Sequence, residues 1–132
     1  MVLVVNEIGF FNDCFNPYGF EDSDFCIRAL KAGYVNYVTN KIWLLHGTDS
    51  RHKARDHAKQ YKMIFKGITM LSFLHLRRIN FLFFFFFNLP IRVFYTVFTH
   101  KETGRFNILK NICHGISSAV LSLFFYRNVL IK

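Results

Sequence analysis

Cysteine is rare in this 132-residue chain, and so is negative charge. The three cysteines, Cys14, Cys26 and Cys113, are an odd set with no short spacing between them. They define neither a disulfide framework nor a thiolate metal site, so each reads as a small hydrophobe in a reducing setting. Eight Asp and Glu stand against seventeen Lys and Arg, a net charge of +9. Such an excess favours an anionic partner. Nucleic acid would call for cations interleaved with exposed aromatics on a polar domain, and that pattern is missing. Arg77, Arg78, Arg92, Lys101, Arg105, Lys110, Arg127 and Lys132 instead flank apolar segments. This is the arrangement of a chain seated on the cytoplasmic face of a membrane. A basic stretch is missing from residues 1–5 too, so they do not read as a signal peptide. They read as a buried strand starting in mid-domain, which carries the expectation of further chain upstream. No internal repeat is visible, and the phenylalanine run at 83–87 is the one low-complexity feature.

What the chain has in abundance is apolar surface. Hydrophobic residues make up 52%, with eighteen phenylalanines, more than one small core needs, so part of it should meet lipid or a partner. The composition shifts near Gly67, dividing a mixed, soluble-type portion (1–66) from a hydrophobic helical tail (67–132). In the first portion, residues 2–5 form a β-branched run of strand type. Residues 6–19 are rich in Gly, Asn, Asp and Pro and form an ordered loop. Glu21, Asp22, Ser23 and Asp24 precede an apolar stretch closed by Gly33, the start and stop signals of a short helix over 25–32. Residues 34–38 and 42–45 read as strands joined by a turn at Thr39, Asn40 and Lys41. A helix follows from Lys53, where Ala54, Ala58, Tyr61, Phe65 and Ile68 make one apolar stripe. The fold class predicted is α/β, an incomplete half-domain, followed by an α-helical hydrophobic tail.

In the tail, residues 79–99 are long enough, at about 20 residues, to span a bilayer. Arg92 near their middle costs roughly 2.5–3.5 kcal/mol on insertion scales. Two shorter helices broken at Pro90 and lying in the interface fit better than a transmembrane hairpin. Residues 112–126 form a second, shorter apolar stretch.

The chemistry concentrates at Tyr18-Gly19-Phe20-Glu21-Asp22-Ser23-Asp24, then Arg28 and Ala32-Gly33-Tyr34. A helix mouth holds anions, so a carboxylate there stays ionised and fixed in direction. Beside a Gly-containing loop it can accept a proton from a sugar hydroxyl. The plainer reading of Asp22, Ser23 and Asp24 is a helix cap. The stretch from Phe10-Phe11-Asn12-Asp13 through Asp24, Arg28, Gly33-Tyr34 and His46 resembles the acceptor-side region of family 2 glycosyltransferases of the GT-A fold. A similar acidic stretch occurs in the C-terminal part of galactosyltransferase-type enzymes.

The resemblance implies that Asp22 is the catalytic base of an inverting sugar transfer, with Glu21 orienting the acceptor hydroxyl. It places Tyr18, Gly19 and Phe20 at the substrate, and His46 near the diphosphate or its divalent metal, Mg²⁺ or Mn²⁺. A strand-end histidine satisfied by backbone is the alternative for His46, and one imidazole cannot by itself hold such an ion. Arg51 and Lys53 resemble a mobile basic segment that closes over the leaving nucleoside diphosphate, where cations offset developing charge. A solvated or lipid-facing basic patch is the other reading. Asp24 pairs with Arg28, four residues on, in a structural role. The partners implied are a nucleotide-sugar donor, a saccharide or lipid-linked acceptor and a membrane surface, with no nucleic acid.

Departures are equally clear. The chain carries no Gly-rich phosphate loop and no uridine-binding segment, and Asn12-Asp13 replaces the family's usual Asp-Glu. Asp22-Ser23-Asp24 is not the family's metal-holding Asp-x-Asp, because its neighbours match the acceptor-side signature. The expectation is a truncated or split transferase, or one whose donor half comes from a partner chain, with no metal held by this chain alone. A non-catalytic membrane-associated module is the competing expectation. The tail is similar to those of bacterial enzymes of cell-envelope polysaccharide synthesis, with Pro90 in mid-segment and a basic-Gly element at 110–115.

Overall fold

The computed structural model describes residues 2–15, 19–41, 57–99 and 104–130. Among these residues six α-helices run in chain order: α1 (Val2–Ile8), α2 (Glu21–Lys31), α3 (His57–His75), α4 (Arg78–Phe83), α5 (Leu89–Thr99) and α6 (Arg105–Leu130). Among the described residues there is no strand, which overturns the α/β reading. The β-branched run at 2–5 lies inside α1. A run of four apolar residues has the same appearance in a buried helix as in a strand, and a strand needs a partner to receive its backbone groups. Residues 34–38 form neither strand nor helix, and Val35, Tyr37 and Val38 are exposed. The proposed strand at 42–45 lies outside the described residues.

α2 starts earlier than the cap signals suggested. Its N-cap is Phe20, in left-handed backbone (φ 77°), and no side chain caps the helix. The stop signal holds: Gly33 sits at φ 90°, Gly33 N–H donates to Leu30 O at 3.1 Å and Tyr34 N–H to Ala29 O at 3.0 Å. These are the two bonds of a Schellman turn, which needs the left-handed backbone that glycine adopts without cost.

The long helices α3 and α6 pack side by side. Phe65 of α3, Leu89 of α5 and Ile108 and Ile112 of α6 form one buried cluster, and Phe15, Met70 and Ala119 form a second. Of the stripe expected on α3, Phe65 is buried in the first cluster and Tyr61 packs against it, Ile68 is half-buried, and Ala54 and the expected start at Lys53 lie outside the described residues. Backbone contact at the crossing is set by Gly115, where a Cβ would stand 2.2 Å from the carbonyl oxygen of Lys62. Gly115→Ala is therefore expected to destabilise the α3–α6 pair by roughly 1–3 kcal/mol through overpacking, even though alanine favours helix by about 1 kcal/mol. Thermal unfolding followed by circular dichroism in micelles should show a lowered midpoint, with Ser117→Ala on the exposed side of α6 leaving it in place.

The tail departs from expectation at Pro90. Residues Arg78–Thr99 form one continuous helical segment of 22 residues rather than two helices broken at the proline. The reason is a π-helical turn at Phe84–Asn88 directly before it. There Leu89 N–H reaches back to Phe84 O, a five-residue step. The wider turn relaxes the register in which the proline ring would strike the carbonyl four residues back, and the proline itself needs no hydrogen-bond acceptor. An 18-residue window of the segment has mean hydropathy 1.7 and is only 6% buried. Phe83, Phe86, Phe87, Phe94 and Phe98 are exposed, while Phe84 and Phe85 pack against the first cluster.

Candidate functional site

The mouth of α2 is built on two left-handed residues, Gly19 (φ 101°) and Phe20 (φ 77°). For Phe20 that backbone costs roughly 1–2 kcal/mol. Its ring offsets this by packing into the second cluster and against Gly67 of α3, where a Cβ would lie 2.3 Å from the ring. The aromatic contact thus braces the helix mouth against α3. Glu21 and Asp22 then take different positions. Glu21 folds back so that Gly19 N–H donates to its Oε2 at 2.7 Å, closing the turn. Asp22 is exposed at the positive helix end, and its Oδ1 accepts from Ser23 N–H at 2.7 Å and Ser23 Oγ at 3.4 Å. Such an anion is favoured by the helix dipole. Asp22 and Ser23 lie within the first turn of the helix, not at its cap.

Below the mouth sits Asp24, with only 1% of its surface exposed. Arg28 Nε donates to its Oδ2 at 2.9 Å, the pairing the spacing implied. His75 Nε2, at the end of α3, lies 2.7 Å from the other carboxylate oxygen, and Lys31 Nζ lies 3.1 Å from His75 Nδ1. With Nε2 protonated, the imidazole donates to Asp24 and accepts from the lysine. Arg28 goes further: Nη1 donates to Ile8 O and Nη2 to Phe10 O at 2.7 Å. One guanidinium thereby serves the last carbonyl of α1 and another just beyond it. Tyr34 donates to the Glu7 carboxylate, which holds the phenol above its ordinary pKa. Asp24 is thus the node that ties α1, α2 and α3 together.

Next to this node Phe10, Phe11, Asn12, Asp13 and Arg28 line an open hollow. Phe10 and Phe11 are exposed on it. The described residues therefore bring Gly19, Phe20, Glu21 and Asp22 onto one turn, with Asn12 and Asp13 at a neighbouring hollow. Tyr18, His46, Arg51 and Lys53 lie outside the described residues. No group of three metal-ligating side chains occurs among those described.

Cys14 adjoins the node and packs against the second cluster. Burial, with Asp24 next in effect, pushes its thiol from 9.0 up to about 11. At any pH below 9 its thiolate fraction is then about 100-fold lower than that of a thiol at the ordinary value. Maleimide labelling at pH 8, read by peptide mass spectrometry, should reach the exposed Cys26 and Cys113 well before Cys14. The sign follows for stability as well. The folded state holds this proton more tightly, so the contribution is complete below pH 9 and is lost as pH rises towards 11.

His75, the brace at Phe20 and Gly67, and the close approach at Gly115 are the features that motif reading passed over. His75 was nevertheless within reach: continuing the α3 stripe by four and three from Ile68 leads to Ser72 and His75. The left-handed Phe20 had no sequence signal. No protein-family model matches the chain, and neither a curated protein nor a solved structure matches it.

Proposed function

We propose that this chain supplies the acceptor-side carboxylate and the membrane-seated helices of an inverting, family-2-like glycosyltransferase. The observation that carries the reading is Asp22: an exposed carboxylate at a helix mouth, on a turn braced by Phe20 and held from below by the Asp24 node. Asp22 takes the proton from an acceptor hydroxyl, whose oxygen attacks the anomeric carbon of a nucleotide-activated sugar. The nucleoside diphosphate leaves, and the configuration at that carbon inverts. Glu21 keeps the turn closed rather than sharing the proton. Tyr18, His46, Arg51 and Lys53 are assigned to the substrate side on resemblance alone. The donor, with any Mg²⁺ or Mn²⁺ it requires, is held by a donor-binding half or partner chain. The apolar segment Arg78–Thr99 and the cations around it support a seat at the cytoplasmic membrane surface, where a lipid-linked acceptor is within reach.

The test joins a family 2 donor-binding domain ahead of Met1 and measures transfer of labelled sugar from a panel of nucleotide sugars to membrane extracts. Transfer above that of the donor domain alone is the expected result, and none across the panel rejects the reading. A second reading, a non-catalytic membrane-associated interaction module, is favoured by the all-helical packing of the described residues. It predicts that the fused chain transfers no sugar beyond the donor domain alone and that the isolated chain is calorimetrically silent towards every nucleotide sugar.

A further inference from the structure

α5 carries a single guanidinium in otherwise apolar surroundings. Arg92 borders a groove between α3 and α5 whose walls include Ile64, Ile68 and Ile91 and whose polar groups include Asn88 and Thr96. Asn88 Oδ1 accepts from Arg92 Nε at 2.7 Å. That bond, one helical turn back, fixes the plane of the guanidinium and leaves both Nη groups without a partner among the described residues. No Asp or Glu occurs anywhere in 57–99 or 105–132, so neither tract offers the arginine a carboxylate. A charge in an apolar segment that the protein does not neutralise calls for an anion from outside. Two parallel Nη donors match the oxygens of a phosphate better than a point cation does. The aliphatic wall beside them matches a hydrocarbon chain. Arg92 lies seven positions before Thr99, about 10 Å along the helix axis from that end, and the arginine stem can carry the head part of the way outward.

We propose that Arg92, oriented by Asn88, is a binding site for the phosphate of an anionic glycerophospholipid, with one acyl chain laid along Ile64, Ile68 and Ile91. The inference rests on the membrane seat proposed above, and it adds a specific lipid contact to a merely apolar one.

The full chain, reconstituted in nanodiscs of phosphatidylcholine and phosphatidylglycerol and released into the mass spectrometer, reports which lipid stays bound. Wild type is expected to retain phosphatidylglycerol roughly fivefold over phosphatidylcholine, the effect of one cation near an anionic lipid. Arg92→Gln should bring the two lipids to parity. Arg92→Lys should keep part of the preference, and Arg105→Gln should leave it whole. An unchanged preference in Arg92→Gln overturns the site, as does equal retention of both lipids by wild type. Displacement of the bound lipid by excess inorganic phosphate overturns it also, because the groove would then recognise the ion without the chain. Flotation with vesicles is run in parallel: a chain that floats but shows no preference loses only the lipid site. One that fails to float on any vesicle loses the membrane seat itself.

Discussion

Sugar transfer by the chain joined to a donor-binding domain is expected to fall about 10²- to 10⁴-fold in Asp22→Asn, the usual worth of a positioned general base. Asparagine is the informative substitution because it keeps the shape of the side chain and an oxygen able to accept from Ser23 N–H, the contact that fixes Asp22 at 2.7 Å. What is removed is the negative charge and with it the capacity to take a proton. Glu21→Gln separates the two carboxylates. Glu21 Oε2 already accepts from Gly19 N–H, so its role is to hold the turn, and glutamine retains an acceptor for that bond. Its effect should be about tenfold or less, the scale of a weakened positioning contact. Initial rates at saturating donor, with acceptor varied, distinguish the cases: loss in kcat for Asp22→Asn, a smaller change shared between kcat and KM for Glu21→Gln. Wild-type rates in Asp22→Asn would remove Asp22 from the reaction. Equal losses in both variants would mean that the turn, not the base, had been damaged.

The parts of the molecule that could be read from the sequence are those whose signals are local. Gly33 ends α2 because a Schellman turn demands left-handed backbone at one residue, and the sequence places glycine there. Asp24 and Arg28 pair because four residues bring them onto one face of a helix. The α3 stripe is legible at Tyr61 and Phe65 because burial repeats with the helical period. What escaped depends on neighbours distant in the chain. Residues 2–5 become helix or strand according to what they meet, and here α1 ends on the guanidinium of Arg28, twenty positions on. Pro90 reads as a break until the preceding π turn is known, and a run of phenylalanines gives no sign of its register. Phe20 adopts a glycine-like backbone because Gly67, in another helix, leaves space for its ring. The substrate-side assignments at Tyr18, His46, Arg51 and Lys53 rest on linear resemblance and have no geometry among the described residues.

Asp24→Ala is expected to be the most disruptive single change to the fold, destabilising the union of α1, α2 and α3 by about 3 kcal/mol. The carboxylate is buried, with its side chain 2% exposed, and its partners are half-sheltered: Arg28 is 24% and His75 10% exposed. Removing it leaves a guanidinium and an imidazole facing each other with no acceptor between them. The losses then spread along specific bonds. Arg28, no longer held at Nε, is released from Ile8 O and Phe10 O, and the open end of α1 is left to water. His75 loses the bond that draws the end of α3 onto α2. Asp24→Asn should cost less, about 1–2 kcal/mol, since an amide oxygen can still accept from one partner while its NH₂ opposes the other. Hydrogen exchange in micelles resolves these effects by helix. Amides of α1 and α2 should lose protection in Asp24→Ala, while those at the α3–α6 crossing around Phe65 and Ile112, which share no bond with the node, keep theirs. A double-mutant cycle with His75→Ala should return a coupling of roughly 1 kcal/mol or more. Additive behaviour of the two changes, or uniform loss of protection across all helices, would show that Asp24 does not act as the node joining the first three helices.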